Sequence, residues 1–248
     1  MIYVKDEKQI QGIKESAKIL SEVFKGVREL LIPGTTLRDI DMWIKKEIER
    51  RGGKPAFLGY RGFPAATCIS LNEEVVHGIP DERVLKEGDI VKIDSGVVYK
   101  GFYSDSAFTV FLGDEPGEDV KRLLEGTRRA LFRAIDIIKE GIRLSDISHV
   151  IEETAKEYSL SVIKALGGHG VGLKLHEDPF VPNYGLPGRG PVLKEGMTLA
   201  IEPMFTTGSG EVKTGSDGWT IYTVDGKPAA HFEHTILVRK DGAEILTE

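Results

Sequence analysis

Asp94, Asp105, Glu202 and Glu233 each stand in or beside an apolar run, where a strand would carry them inward. Asp94 follows Ile90-Val91-Lys92-Ile93, and Asp105 comes soon after, against Ala107-Phe108-Thr109-Val110-Phe111. Glu202 follows Leu199-Ala200-Ile201, Glu233 lies within His231-Phe232-Glu233-His234-Thr235-Ile236-Leu237-Val238, and His169 sits between Gly168 and Gly170. Burying an ionised carboxylate without a partner is costly, and several that converge repel one another. A cation is the simplest partner, and hard oxygens with one imidazole suit a divalent metal such as Mn, Fe, Co or Zn. Taken singly, each residue also has an ordinary place. Asp94 or Asp105 fits an exposed or turn position, Glu202 the end of a strand before Pro203, His169 a loop, and Glu233 a half-exposed sheet. These residues form no compact motif, so spacing alone names no reaction.

The elements that must position them recur. Ile10, Ile13, Leu20, Phe24, Val27 and Leu31 give a helical period that Pro33-Gly34 stops. Thr36 opens a second helix, with Asp39 three residues on, an apolar face of Leu37, Ile40, Ile44 and Ile48, and an end at Gly52-Gly53. Extended segments follow at Thr67–Leu71, Ile90–Tyr99 and Ser106–Leu112. The order then returns: a long helix from Val120 to Ile138 ending near Gly141, a helix opened by Ser145, and strands at Met197–Met204, Trp219–Val224 and His231–Val238. Asp225-Gly226 and Asp241-Gly242 read as turns. Gly170–Lys194, rich in Gly and Pro, reads as an ordered surface loop. The junction Gly34-x-x-Leu37-x-Asp39-Ile40 repeats as Gly141-x-x-Leu144-x-Asp146-Ile147 at an offset of 107 residues. An internal duplication is expected, one catalytic domain over 1–248 with halves of about 1–112 and 113–248 and a cleft between them.

Composition narrows the class. The chain of 248 residues has a formal net charge of −6, which argues against non-specific binding to nucleic acid or to an anionic membrane. One cysteine, Cys68, rules out an intrachain disulfide and suits a reducing, cytoplasmic setting. No stretch approaches the roughly 18 apolar residues of a membrane span, and no signal peptide is apparent.

Over nearly its whole length the sequence resembles methionine aminopeptidases of the bacterial, type I kind. The resemblance rests on Leu58-Gly59-Tyr60-Arg61-Gly62-Phe63-Pro64, Cys68-Ile69-Ser70, Val76-His77-Gly78-Ile79-Pro80, Lys92-Ile93-Asp94 and Ser104-Asp105-Ser106 in the first half. In the second half it rests on Gly168-His169-Gly170-Val171-Gly172, His176-Glu177-Asp178-Pro179, Ile201-Glu202-Pro203-Met204 and Phe232-Glu233-His234-Thr235. It implies the pita-bread fold, an α+β architecture of duplicated helix-helix-strand halves with pseudo-twofold symmetry about a central antiparallel sheet. It also implies two divalent cations (Co, Mn, Fe, Zn or Ni), with Asp105 and Glu233 bridging both, Asp94 on one, and His169 and Glu202 on the other. Removal of the initiator methionine from nascent chains and peptides follows, when the next residue is small, by a water that the two metals activate. Glu202 would carry the proton, His176 would bond the carbonyl oxygen, and His77 would contact the peptide nitrogen or the next residue. Phe57, Tyr60, Phe63, Cys68 and Trp219 would surround the methionine side chain. A monomer that meets nascent chains at the ribosome is implied as well.

Arg61 and Leu175 depart from the family pattern, where a histidine and an aromatic residue are expected. His149 reads as a packing or surface residue, while His231 and His234 flank Glu233 and fit a supporting position. Two other functions compete. A proline-specific aminopeptidase or prolidase shares the ligands but usually carries an extra N-terminal domain, for which the chain has no room. A non-catalytic peptide-binding relative is expected to have lost ligands, and all five are here.

Overall fold

A computed structural model describes residues 1–248. The first half runs α1 (Glu7–Val27), α2 (Leu37–Arg50), β1 (Lys54–Pro55), β2 (Cys68–Leu71), β3 (Glu74–Val76), β4 (Ile90–Tyr99) and β5 (Phe102–Phe111). The second runs α3 (Glu118–Ile137), α4 (Leu144–Glu157), β6 (Ser161–Val162), β7 (Gly167–Gly170), β8 (Glu177–Pro182), β9 (Thr198–Ile201) and β10 (Met204–Thr206). It continues through β11 (Val212–Thr214), β12 (Ile221–Thr223), β13 (Ala229–His231), β14 (Glu233–Val238) and β15 (Ala243–Ile245). The central antiparallel sheet has the order β1-β4-β5-β14-β9-β7-β8, with β2 also on β4 and β15 on β14. Its strands mirror about the β5–β14 seam: β2-β4-β5 on one side answers β7-β9-β14 on the other.

The duplication extends to single hydrogen bonds. Helices α2 and α4 are offset by 107 residues at both ends. The Gly34 amide donates to Leu85 and the Gly141 amide to Leu193, while Leu37 donates to Arg83 and Leu144 to Pro191. Thr36 caps α2 by accepting from the Asp39 amide at 3.0 Å. The partner helix starts one residue earlier than Ser145 suggested. Its first residue is Leu144, and Asp146 turns back to accept the Arg143 amide at 2.9 Å.

Strand alternation sorts the two faces of the sheet. Val91, Ile93 and Val97 of β4 and Phe108 of β5 join α1 and α2 in one apolar core. Leu199 and Ile201 of β9, with Ile236 and Val238 of β14, join α3 and α4 in the other. The alternate residues Lys92, Asp94, Asp105 and Glu233 are consequently left on the face away from the helices. Three expected segments differ. Glu202-Pro203 splits Met197–Met204 into β9 and β10, because proline has no amide for the ladder. Phe232 separates β13 from β14, so His231 pairs with Met204 rather than continuing the central strand. The Gly170–Lys194 loop contains β8, which pairs with β7.

Thr36→Ala removes one helix cap from a repeated junction and is expected to lower stability by about 1 kcal/mol in urea unfolding. An unchanged midpoint would show that the tertiary bonds to Arg83 and Leu85 hold the helix start without the cap.

Candidate metal centre

The expected site residues converge. Asp94, Asp105, His169, Glu202 and Glu233 all line one cavity of about 290 Å³. Donor atoms of Asp105, His169 and Glu233 lie within 4.8 Å of one another. The Nε2 of His169 stands 3.7 Å from Asp105 Oδ2 and 3.4 Å from Glu202 Oε1. Its Nδ1 is 2.9 Å from the Gly170 carbonyl oxygen. A carbonyl can only accept, so Nδ1 carries the proton and Nε2 turns a bare lone pair toward the carboxylates. Lone pair facing lone pair calls for a cation between them. Oδ1 of Asp94, Oδ1 of Asp105 and Oε1 of Glu233 are buried with no hydrogen-bond partner, which points the same way. Burial, reinforced by mutual repulsion, holds the Asp105 and Glu233 carboxyls well above the usual range. Burial likewise raises Asp94 and Glu202 to about 7. These donors fit a divalent metal.

Local sequence explains the placement. A Cβ at Gly168 would collide with the Ala200 carbonyl oxygen and one at Gly170 with that of Asp178, so only glycines let β7 lie close enough to bring His169 inward. A device that the sequence reading missed holds the carboxylate residues. The backbone carbonyl of each accepts a bond from a buried side chain: Asp94 from Thr67 at 2.6 Å, Asp105 from Thr235 at 2.7 Å, Glu202 from Asn183 at 3.0 Å and Glu233 from Ser106 at 2.7 Å. Thr67, Asn183 and Ser106 carry no periodic signal, because each bond closes a long sequence gap.

His77 and His176 line the same cavity, as do Phe57, Tyr60, Phe63, Cys68 and Trp219. His77 adopts φ 61°, a left-handed backbone that is uncommon for a non-glycine residue and concentrates at functional sites. Burial lowers it to about 4. His176 falls to about 3, through burial first and then the nearby His169, Arg61 and His77. Both rings are therefore neutral at neutral pH. The His176 ring stacks on Tyr60 at 5.2 Å, and its Nδ1 lies 3.0 Å from the Tyr60 hydroxyl. Phe57, Phe63, Cys68 and Leu175 form one buried cluster against Tyr60 and Trp219. Leu175 thus supplies an apolar wall where an aromatic residue was expected. Arg61 lies at the mouth, its guanidinium 5.4 Å from the Tyr60 ring centre. Leu166, Met204 and Phe180 also line the cavity; Met204 ends the Ile201-Glu202-Pro203-Met204 motif, while no sequence signal marked Leu166 and Phe180.

The remaining histidines separate. His231 is buried and faces the acidic cluster without a hydrogen bond to it, its Nε2 3.5 Å from Glu202 Oε2 and 4.0 Å from Glu233 Oε2. His234 does not: it points to the other face, bonds the Thr247 hydroxyl at 2.9 Å and meets Phe132. His149 lies half-buried on α4, away from the cavity.

The raised carboxyls predict a specific pH response. Unfolded, such groups titrate near pH 4; folded without metal, Asp94 and Glu202 titrate near 7, and Asp105 and Glu233 are raised well above their ordinary values. Protonated carboxyls thus favour the folded state in acid, and that contribution is lost as pH rises through the folded values. In chelator, the thermal midpoint should fall between about pH 4 and pH 7. Added Mn²⁺ should abolish the fall. A chelated protein with a flat profile over this range would contradict the reading.

The family model for metallopeptidase family M24 matches residues 11–240. The chain is 46% identical to the methionine aminopeptidase of Aquifex aeolicus, over 98% of this chain and 97% of that one. It is 44% identical to methionine aminopeptidase 1 of Bacillus subtilis, over 100% and 99%. Among solved structures, the methionine aminopeptidase of Thermotoga maritima superposes with a TM-score of 0.98 at 49% identity, covering all of both chains. The prolidase of Pyrococcus furiosus shares the fold at a TM-score of 0.80 and 26% identity, and this chain spans 65% of its length. The duplicated α+β architecture is the pita-bread fold, and the chain belongs to metallopeptidase family M24, within its methionine aminopeptidase branch.

Proposed function

We propose that this chain is a metal-dependent methionyl aminopeptidase that removes N-terminal methionine from peptides and nascent chains when the next residue is small. The observation that carries the reading is a single cavity with metal donors on its floor, two neutral histidines above them and an aromatic, apolar wall beside them. Asp94, Asp105, His169, Glu202 and Glu233 would together hold two divalent cations. Mn, Fe, Co, Zn and Ni all accept such a donor set, and availability selects among them. Bound there, the pair supplies a lower pKa for the attacking water and charge neutralisation at the scissile carbonyl oxygen.

The side chains do the rest. Glu202, placed beside His169 and His231, takes a proton from the water and passes it toward the leaving amine. The Tyr60 hydroxyl can donate to His176 Nδ1, which leaves the proton on Nε2 and gives a neutral ring one donor for the developing oxyanion. His77 contacts the leaving nitrogen or the residue after methionine. Phe57, Tyr60, Phe63, Cys68 and Trp219 enclose the methionine side chain, where sulfur meets aromatic rings favourably. Burial, then the nearby Asp94 and Asp105, push the Cys68 thiol up, so it serves as a neutral wall.

Two experiments test the reading. Met-Ala-Ser should be hydrolysed at least about 100-fold faster than Met-Lys-Ser, because crowding by His77 and His176 discriminates more strongly than an apolar slot can. Comparable rates would refute it. His176→Ala should retain its metal and lose roughly 100-fold or more in kcat. Asp105→Ala and Glu233→Ala should lose metal and activity together. Metal loss in His176→Ala would make His176 a ligand or a support instead.

A further inference from the structure

Lys5 and Glu177 lie 172 residues apart in sequence and form an ion pair at 2.7 Å, with side chains 1% and 0% exposed. Neither belongs to the metal donor set, yet Glu177 directly follows His176. Its carboxylate divides its bonds. Oε2 takes the Lys5 ammonium, and Oε1 takes the backbone amides of Leu173 at 2.5 Å and Lys174 at 2.9 Å. Those amides belong to the turn that leads into His176. Lys5 is itself fixed, since its amide donates to the Gly196 carbonyl at 2.9 Å. The ring of His176 has one polar restraint, the Tyr60 hydroxyl. Its backbone follows Leu175, which is buried in the apolar wall, and precedes Glu177, whose carboxylate holds the turn.

We propose that the Lys5–Glu177 pair sets His176 at its working position, making both of them positioning residues for the reaction. This inference rests on the role given to His176 above. Energetics favours a geometric role over a stabilising one. Removing two charges from water costs about what their attraction returns, so a buried pair contributes little beyond an apolar pair of the same volume. What it does provide is direction: a carboxylate held from one side by a fixed ammonium can grip two amides on the other in only one arrangement. A displacement of about 1 Å at a catalytic group costs on the order of 100-fold in rate, so a histidine carried on a turn at the cavity needs such a grip.

The test is a double-mutant cycle on Met-Ala-Ser, with kcat, KM and metal content measured for the wild type, Lys5→Met, His176→Ala and the double variant. Lys5→Met should lower kcat roughly 10- to 100-fold with KM and metal content unchanged. In the His176→Ala background it should cost nothing further, because there is no ring left to position. Lys5→Arg should restore most of kcat. If Lys5→Met fails to fold, Glu177→Gln runs the same cycle, since it keeps Oε1 for the two amides and removes the anion facing Lys5. An equal loss of kcat in both backgrounds, or a loss of metal, overturns the inference. Wild-type kcat in His176→Ala overturns the role of His176 itself and so the reading beneath.

Discussion

Four buried carboxylates line one cavity with an imidazole, and the repulsion among them has to be offset by a cation or by protons. The rest of the molecule is arranged around that requirement. Apolar alternation on β4, β9 and β14 gives one face of the sheet to the helices and leaves the acids on the other. Thr67, Thr235, Asn183 and Ser106 hold the backbone of each acid by its carbonyl, so the repulsion cannot be relieved by the strands moving apart. Burial and mutual repulsion favour the protonated carboxyls when no cation is there, which holds Asp105 and Glu233 well above the usual carboxylate range.

Duplication supplies most of this geometry. Asp105 and Glu233 face each other across the seam, where Ala107 pairs with Glu233 and Ser106 with His234. Asp94 and Glu202 occupy corresponding places one strand further out. The halves part company where chemistry demands it. In the second half β7 sets His169 opposite Ala200, while in the first half β2 sets Ser70 opposite Lys92. Lys92 is fully buried and its ammonium donates to the carbonyls of Asn72 and Ala229 at 2.8 and 3.1 Å, which ties β4 to both flanking segments. One half thus contributes an imidazole, and the other a buried structural lysine.

Legibility in the sequence followed the range of the forces involved. Helices α1 to α4 were readable because a 3.6-residue apolar period is local, and β4 because Ile90, Val91 and Ile93 lead up to Asp94. The repeated Gly-x-x-Leu-x-Asp-Ile junction announced the duplication, because helix caps are set within a few residues. Strand ends were less readable. The break at Phe232 depends on which strand His231 pairs with, and pairing is decided across the fold.

The sequence alone determined the residue types that could hold a metal, the two-half organisation and, through motif resemblance, the class of reaction. Tertiary structure alone decided that His231 faces the acids while His234, three positions on, turns away. It also decided that Leu175 closes the apolar wall, and that Lys5 grips the turn bearing His176. The physical reason is common to all three. Strand parity, a close glycine approach and a buried ion pair between distant residues are settled by which segments pack together, and packing distances are not written in spacing along the chain.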